Sequence, residues 1–209
     1  MFSGDILVIQ DFFSVPIYQT KVEPMLYDKV QEELSFAYEN SSFSMKPGWG
    51  STHYLSDTSF SKSFIKSFNL QYFPREIKRH LGIYLDMIGF SSSTKFKPGM
   101  KKEIVSSWFS KFEKGCFAHI HNHGSSDISG VYYFKIPSSG SELFFRNPIP
   151  NLDSSLVYEH LGSGIDIAPR EGDILLFPSW LQHGVKTNMT NDTRVSVSFN
   201  ICLERPELI

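Results

Sequence analysis

Between Ile104 and Cys202 a succession of turn residues cuts the chain into seven short runs, and this punctuation constrains the fold more than any other feature. The runs are Ile104–Phe109, Cys116–His121, Ser129–Ile136, Ser141–Phe145, Ile165–Ala168, Asp173–Phe177 and Arg194–Cys202. Between them lie Lys114-Gly115, Pro137-Ser-Ser-Gly140, Asn147-Pro148, Gly162-Ser-Gly164, Glu171-Gly172 and Asn191-Asp192. Short strands at regular spacing, separated by residues that tolerate tight turns, predict a double-sheet jelly roll or sandwich.

The first hundred residues follow a different period. Leu26, Val30, Leu34 and Ala37 recur at helical spacing behind Pro24, which is harmless in a first helical turn. Ile77, Leu81, Leu85 and Ile88 mark one or two further helices in the stretch 64–88, punctuated by Pro74. Ile6–Ile9 could form a strand, and Pro16 confines Phe13–Tyr18 to an edge or lead-in segment. The turn-rich stretch 46–60 predicts a loop with a short strand. Together these features predict a mainly β, α+β architecture in which residues 1–100 supply helical support and edge strands and 101–209 the jelly-roll core. A length of 209 residues suits one domain spanning 1–209.

Composition removes several function classes. With 41% hydrophobic and 20% charged residues the chain is not of the disordered type. A net charge of −2 lacks the basic field of a non-specific nucleic-acid binder. No apolar run approaches the roughly 18 residues of a membrane span, and the first residues carry Asp5 and Asp11 rather than a basic leader. Two cysteines, Cys116 and Cys202, make no disulfide framework, so a reducing, cytoplasmic setting is expected.

Histidines carry the chemistry. Three of the seven fall in His119-Ile-His-Asn-His123, where strand alternation would turn His119, His121 and His123 to one face. Three imidazoles beside Phe117 and Ile120 are costly to desolvate unless something binds them, and a divalent metal would. His53, His80 and His160 are expected to be ordinary surface or hydrogen-bonded histidines. Sixty residues beyond His123 stands His183, in a loop that follows a strand ended by Pro178. Arg194 and Ser196 share a strand face eleven to thirteen residues further on. If that face looks inward, the guanidinium needs an anionic partner, and its planar fork matches a carboxylate.

Taken together, His121-Asn-His123, Ser129-Gly-Val-Tyr-Tyr133, Phe177-Pro-Ser-Trp-Leu-Gln-His183, Arg194-Val-Ser196 and Phe199-Asn200 resemble the iron(II)- and 2-oxoglutarate-dependent dioxygenases, in the branch related to prolyl hydroxylases. Phe13-Ser-Val-Pro-Ile17 is similar to that branch's start, so the resemblance spans most of the chain and is densest between Gly115 and Asn200. It implies a cupin-like double-stranded β-helix and two cofactors, Fe(II) and the co-substrate 2-oxoglutarate. His121, His123 and His183 would ligate the metal. Arg194, Ser196 and Tyr133 would hold the distal carboxylate, with Tyr132 turned away. His123 stands where the wider superfamily places Asp, so Asp127 is the competing third ligand. Spacing by two along a strand favours His123, and His119 is an outside candidate or a neighbour of the substrate.

The activity implied is hydroxylation of a substrate, either a protein or peptide residue or a small metabolite, coupled to decarboxylation of 2-oxoglutarate to succinate. No nucleic-acid or membrane partner is indicated, and a homodimer is allowed. Trp180 and Leu181 would wall the pocket or serve as core, and the segments 47–53 and 147–155 would border its mouth. The rival readings are a cupin-like metal-binding protein without oxygenase activity and a dioxygenase that uses no 2-oxoglutarate. Neither would need an inward-facing Arg194.

Overall fold

The computed structural model describes residues 14–48, 50–56, 63–92, 101–137, 140–149, 154, 156, 162–168 and 170–203. Ile6–Ile9 and His160 lie outside them. In chain order come β1 (Tyr18–Lys21), α1 (Pro24–Glu39), β2 (Ser44–Met45), β3 (Tyr54–Leu55), α2 (Phe64–Ser67) and α3 (Tyr72–Met87). The strands β4 (Lys102–Phe112), β5 (Ala118–His121), β6 (Ile128–Lys135), β7 (Leu143–Arg146), β8 (Gly164–Ile167), β9 (Asp173–Pro178), β10 (His183–Val185) and β11 (Arg194–Leu203) follow. Seven strands form one antiparallel sheet in the order β1-β9-β6-β11-β4-β3-β2, and four form the facing sheet, β5-β10-β7-β8. This is the expected mainly β jelly roll with helices on one sheet.

Period-two alternation explains why the large sheet serves two cores at once. Val195, Val197, Phe199 and Ile201 of β11 join Tyr132 and Phe134 of β6 and Ile174 and Leu176 of β9 against the helices. Into that layer α1 sends Val30, Leu34 and Ala37, and α3 sends Phe73, Ile77, Leu81 and Leu85. The opposite faces of the same strands carry Val131, Tyr133, Leu175 and Phe177, which pack between the sheets with Leu143, Phe145 and Val185. Each such side chain contributes about 1.5–3 kcal/mol on burial. Contact between the helix-side strands is close: a Cβ on Gly130 would lie 2.3 Å from the Phe199 ring.

Two local expectations need correction. Pro74 does not divide the second helical stretch; it lies within the first turn of α3, where its missing N–H costs nothing. The break falls at Asn69, whose φ of 50° is left-handed. The α3 N-terminus is capped from outside: the Glu33 carboxylate on α1 accepts from the N–H groups of Gln71, Tyr72 and Phe73. The second correction concerns His183, read as a loop residue but found in strand β10, between β5 and β7. Three residues carry no periodicity, and the strand exists only because both neighbours pair with it. Gly184 permits that pairing, since a Cβ there would lie 2.8 Å from the Ala118 carbonyl oxygen.

Candidate active site

Antiparallel pairing sets His183 of β10 directly opposite His121 of β5, so two histidines distant in sequence become cross-strand neighbours. Their ring centroids are 4.5 Å apart. His123 lies just past β5, tied by its N–H to the Ser179 carbonyl at 2.8 Å. Its ring centroid is 5.1 Å from that of His121 and 5.3 Å from that of His183. One ligand-capable atom from each of the three lies within 4.8 Å of the other two.

Backbone contacts select the tautomer of two of these rings. His121 Nδ1–H donates to the His119 carbonyl at 2.7 Å, and His183 Nδ1–H donates to the Leu181 carbonyl at 2.8 Å. Each therefore offers Nε2 as a lone pair, the arrangement metal-bound histidines adopt. Burial, with His121 nearby, pushes His183 down to about 3 and His123 down to about 4. Burial also lowers His121, although its outer edge is exposed. At neutral pH the cluster is uncharged and ready to ligate a cation.

These rings line a cavity of about 550 Å³. Its floor is built by register. Arg194, Ser196, Ser198 and Asn200 alternate along β11 opposite Phe112, Ser110, Trp108 and Ser106 of β4, and all eight face the cavity. Arg194 is 1% exposed. Its guanidinium lies over the rings of Phe112 and Tyr133, at 4.7 and 5.4 Å, and donates to Ser196 Oγ at 3.2 Å. Among the described residues no Asp or Glu lines the cavity and no ion pair joins Arg194. Arg194 Nε and the Tyr133 hydroxyl are buried without a hydrogen-bond partner. Burial pushes that phenol up to about 12, so it remains a donor at neutral pH.

The other expected residues are placed as follows. Tyr132 faces the helices, where its hydroxyl accepts from Gln31. Asp127 is outside the cavity lining, its carboxylate accepting from the Leu203 N–H at 2.7 Å. His119 is exposed at the cavity mouth and stands outside the three-histidine group. Trp180 is 52% exposed and Leu181 is core, and neither lines the cavity. Ser51 and His53 border it, whereas the described residues of 147–155 do not. Cys116 and Cys202 are free thiols.

The sequence placed the stretch 47–53 at the pocket mouth but gave His53 itself no part, and of the polar floor it indicated Arg194 and Ser196 alone. His53 is buried, its ring stacked on Phe112 at 4.5 Å and 5°, and burial pushes it down to about 4. A polar residue at every second position of the buried strand Arg194–Asn200 was the available signal for the floor. His80 is the hydrogen-bonded core histidine expected, held by Tyr18 and Arg79.

Comparison with known proteins agrees with this geometry. Residues 106–200 match the family model described as "Putative 2OG-Fe(II) oxygenase". No curated protein matches the chain in sequence. Among solved structures, a Pseudomonas putida prolyl-4-hydroxylase superposes with a TM-score of 0.59 at 13% identity, over 91% of this chain and 94% of that one. HygX from Streptomyces hygroscopicus, solved with nickel and 2-oxoglutarate bound, gives 0.59 at 14% identity, over 93% of this chain and 84% of that one. A 2OG-Fe(II) oxygenase family oxidoreductase from Burkholderia pseudomallei gives 0.59 at 12%, over 90% and 85%. At such identities the structures speak for the fold, and the family match speaks for the strands that carry the histidines and Arg194. The segment that builds the cavity, residues 106–200, is thus similar to the 2OG-Fe(II) oxygenases in sequence, and the fold around it is theirs.

Proposed function

We propose that His121, His123 and His183 hold the iron, and that Arg194, Ser196 and Tyr133 hold the distal carboxylate of 2-oxoglutarate in a hydroxylase of a protein, peptide or small-metabolite substrate. The observation that carries this reading is the buried Arg194, which has no ion-pair partner among the described residues. A guanidinium out of water without a counter-charge is unfavourable, and this one keeps a free Nε–H beside an unpartnered phenol. A carboxylate bound there would satisfy all three donors, Arg194, Tyr133 and Ser196. The donor set fits the metal as well, since three neutral imidazoles offer nitrogen ligands on one side of the cavity.

With Fe(II) and 2-oxoglutarate bound and dioxygen as the oxidant, the chemistry supplied would be oxidative decarboxylation to succinate and carbon dioxide coupled to hydroxylation of a C–H bond, one oxygen atom going to succinate and the other to the new hydroxyl. The protein's part is positional. Arg194 fixes one end of the diacid, the β5–β10 pair fixes two imidazoles, and Phe177 and Phe145 keep the His183 ring in an apolar setting. All these residues come from one chain, so the proposal needs no second copy. We place the site within one oxygenase domain spanning the chain, because the large sheet packs on the helices with one face and on the second sheet with the other. No helix among the described residues is long and apolar enough to cross a membrane, and the free thiols suit a reducing cytoplasm.

A cupin-like metal-binding protein would have no use for a buried guanidinium, and neither would a dioxygenase without 2-oxoglutarate. The deciding experiment measures succinate formed with Fe(II), ascorbate and 2-oxoglutarate, screened against peptides, free amino acids and small metabolites. Turnover lost in His183→Ala is the expected result. Failure of the metal-loaded protein to bind 2-oxoglutarate would overturn the reading.

A further inference from the structure

The third imidazole is held differently from the other two. His121 and His183 each donate Nδ1–H to a main-chain carbonyl, whereas the partner facing His123 Nδ1 is the side-chain amide of Asn200, at 3.4 Å. Asn200 is 3% exposed and sits in a buried polar row. Its Nδ2 donates to Ser106 Oγ at 3.1 Å, and its Oδ1 accepts from Ser129 Oγ at 2.8 Å. Ser129 Oγ meets Ser179 Oγ at 2.9 Å, and Ser179 supplies the carbonyl that holds the His123 backbone.

Every neighbour of this amide is amphoteric. Hydroxyls donate or accept, and a neutral imidazole nitrogen does either according to its tautomer. Nothing else in the row therefore fixes which way the carboxamide faces. With Nδ2 toward His123, Nδ1 must accept, the ring proton moves to Nε2, and that nitrogen cannot ligate. Rotating the amide by half a turn exchanges Oδ1 and Nδ2 with little change of shape. Oδ1 then accepts Nδ1–H from His123, Nδ2 donates to Ser129, Ser106 donates to Oδ1, and Ser129 passes its proton toward Ser179. Every bond in the row survives, and His123 gains the same ligating tautomer as its two partners.

We infer that Asn200 is the positioning residue of the metal site: its carboxamide oxygen fixes the tautomer and ring plane of His123, and the Ser106–Asn200–Ser129–Ser179 row allows it to turn. This rests on His123 as a ligand. It also accounts for Asn200 standing on the strand that carries Arg194, so that β11 serves both ends of the cavity.

The test compares Co(II) affinity and visible absorption of the wild type with Asn200→Leu, Asn200→Asp and His123→Ala, alongside the thermal midpoint of each metal-free protein. Asn200→Leu should lose about 10- to 100-fold in affinity, with its cobalt spectrum moved toward that of His123→Ala. Asn200→Asp should bind about as well as wild type, because a carboxylate accepts Nδ1–H more strongly. Wild-type affinity in Asn200→Leu, or an equal loss in Asn200→Asp, would overturn the inference. Unaltered affinity in His123→Ala would instead overturn the ligand assignment beneath it. Should Asn200→Leu not fold, NMR of the wild-type Zn(II) complex decides: a His123 Nδ1–H coupled across a hydrogen bond to the Asn200 carboxamide supports the inference, and an Nδ1–H without that coupling, or an unprotonated Nδ1, refutes it.

Discussion

Replacing Arg194 by methionine separates the two roles a buried cation can play. Methionine keeps most of the apolar stem and removes the charged group that lies over Phe112 and Tyr133. Without co-substrate the guanidinium has no acidic neighbour in the cavity among the described residues, and its desolvation is offset there by Ser196 and two ring faces. Exchanging a buried charge for a hydrophobic residue of similar volume is neutral or stabilising, by about 1–4 kcal/mol. The metal-free variant should therefore melt no lower than wild type, and up to roughly 2–4 °C higher per kcal/mol gained. Co-substrate reverses the comparison. At a 2-oxoglutarate concentration about 100 times Kd, wild type gains about 2.7 kcal/mol. Losing a desolvated charge-assisted pair costs about 2–5 kcal/mol, which raises Kd roughly thirty-fold to several-thousand-fold. At the same concentration the variant should then gain less than about 1 kcal/mol. Thermal unfolding with Ni(II), with and without 2-oxoglutarate, reads both effects, and calorimetric titration gives Kd directly. A variant that binds 2-oxoglutarate like wild type, or whose metal-free form is clearly destabilised, refutes the argument that this cation awaits an anion.

Three further outcomes follow from the same geometry. Asp127→Asn should leave Co(II) affinity unchanged while His123→Ala lowers it, since the Asp127 carboxylate is engaged with the Leu203 N–H; the opposite result would make Asp127 the third ligand. His53 and His123, pushed down to about 4, and His183, down to about 3, bind fewer protons folded than unfolded. Stability of the metal-free protein is therefore fully present above about pH 6.5 and is lost as pH falls toward 4, by up to about 1.4 kcal/mol per histidine per unit; urea midpoints at pH 7.5 and 5 that coincide would contradict this. Glu33→Ala leaves three α3 N–H groups without their carboxylate and should cost about 1–2 kcal/mol, lowering the thermal midpoint by roughly 2–4 °C per kcal/mol with 2-oxoglutarate affinity unaltered.

Alternation along strands was legible without coordinates because it is a local property of extended backbone. It placed Tyr133 and Tyr132 on opposite faces, Arg194 with Ser196 on one, and Val30, Leu34 and Ala37 on one side of a helix, all as found. Turn residues located the strands to within a few positions for the same reason. Chain proximity could not reveal which distant rows would face each other. His183 became a strand residue opposite His121 only through pairing with β5 and β7, His53 entered the cavity by stacking on Phe112, and Asn200 reached His123 across 77 residues. Trp180, beside His183 in sequence, turned outward instead. Residue type and local period are written along the chain, whereas sheet register, and with it the company each polar side chain keeps, is settled only when non-local strands close on one another.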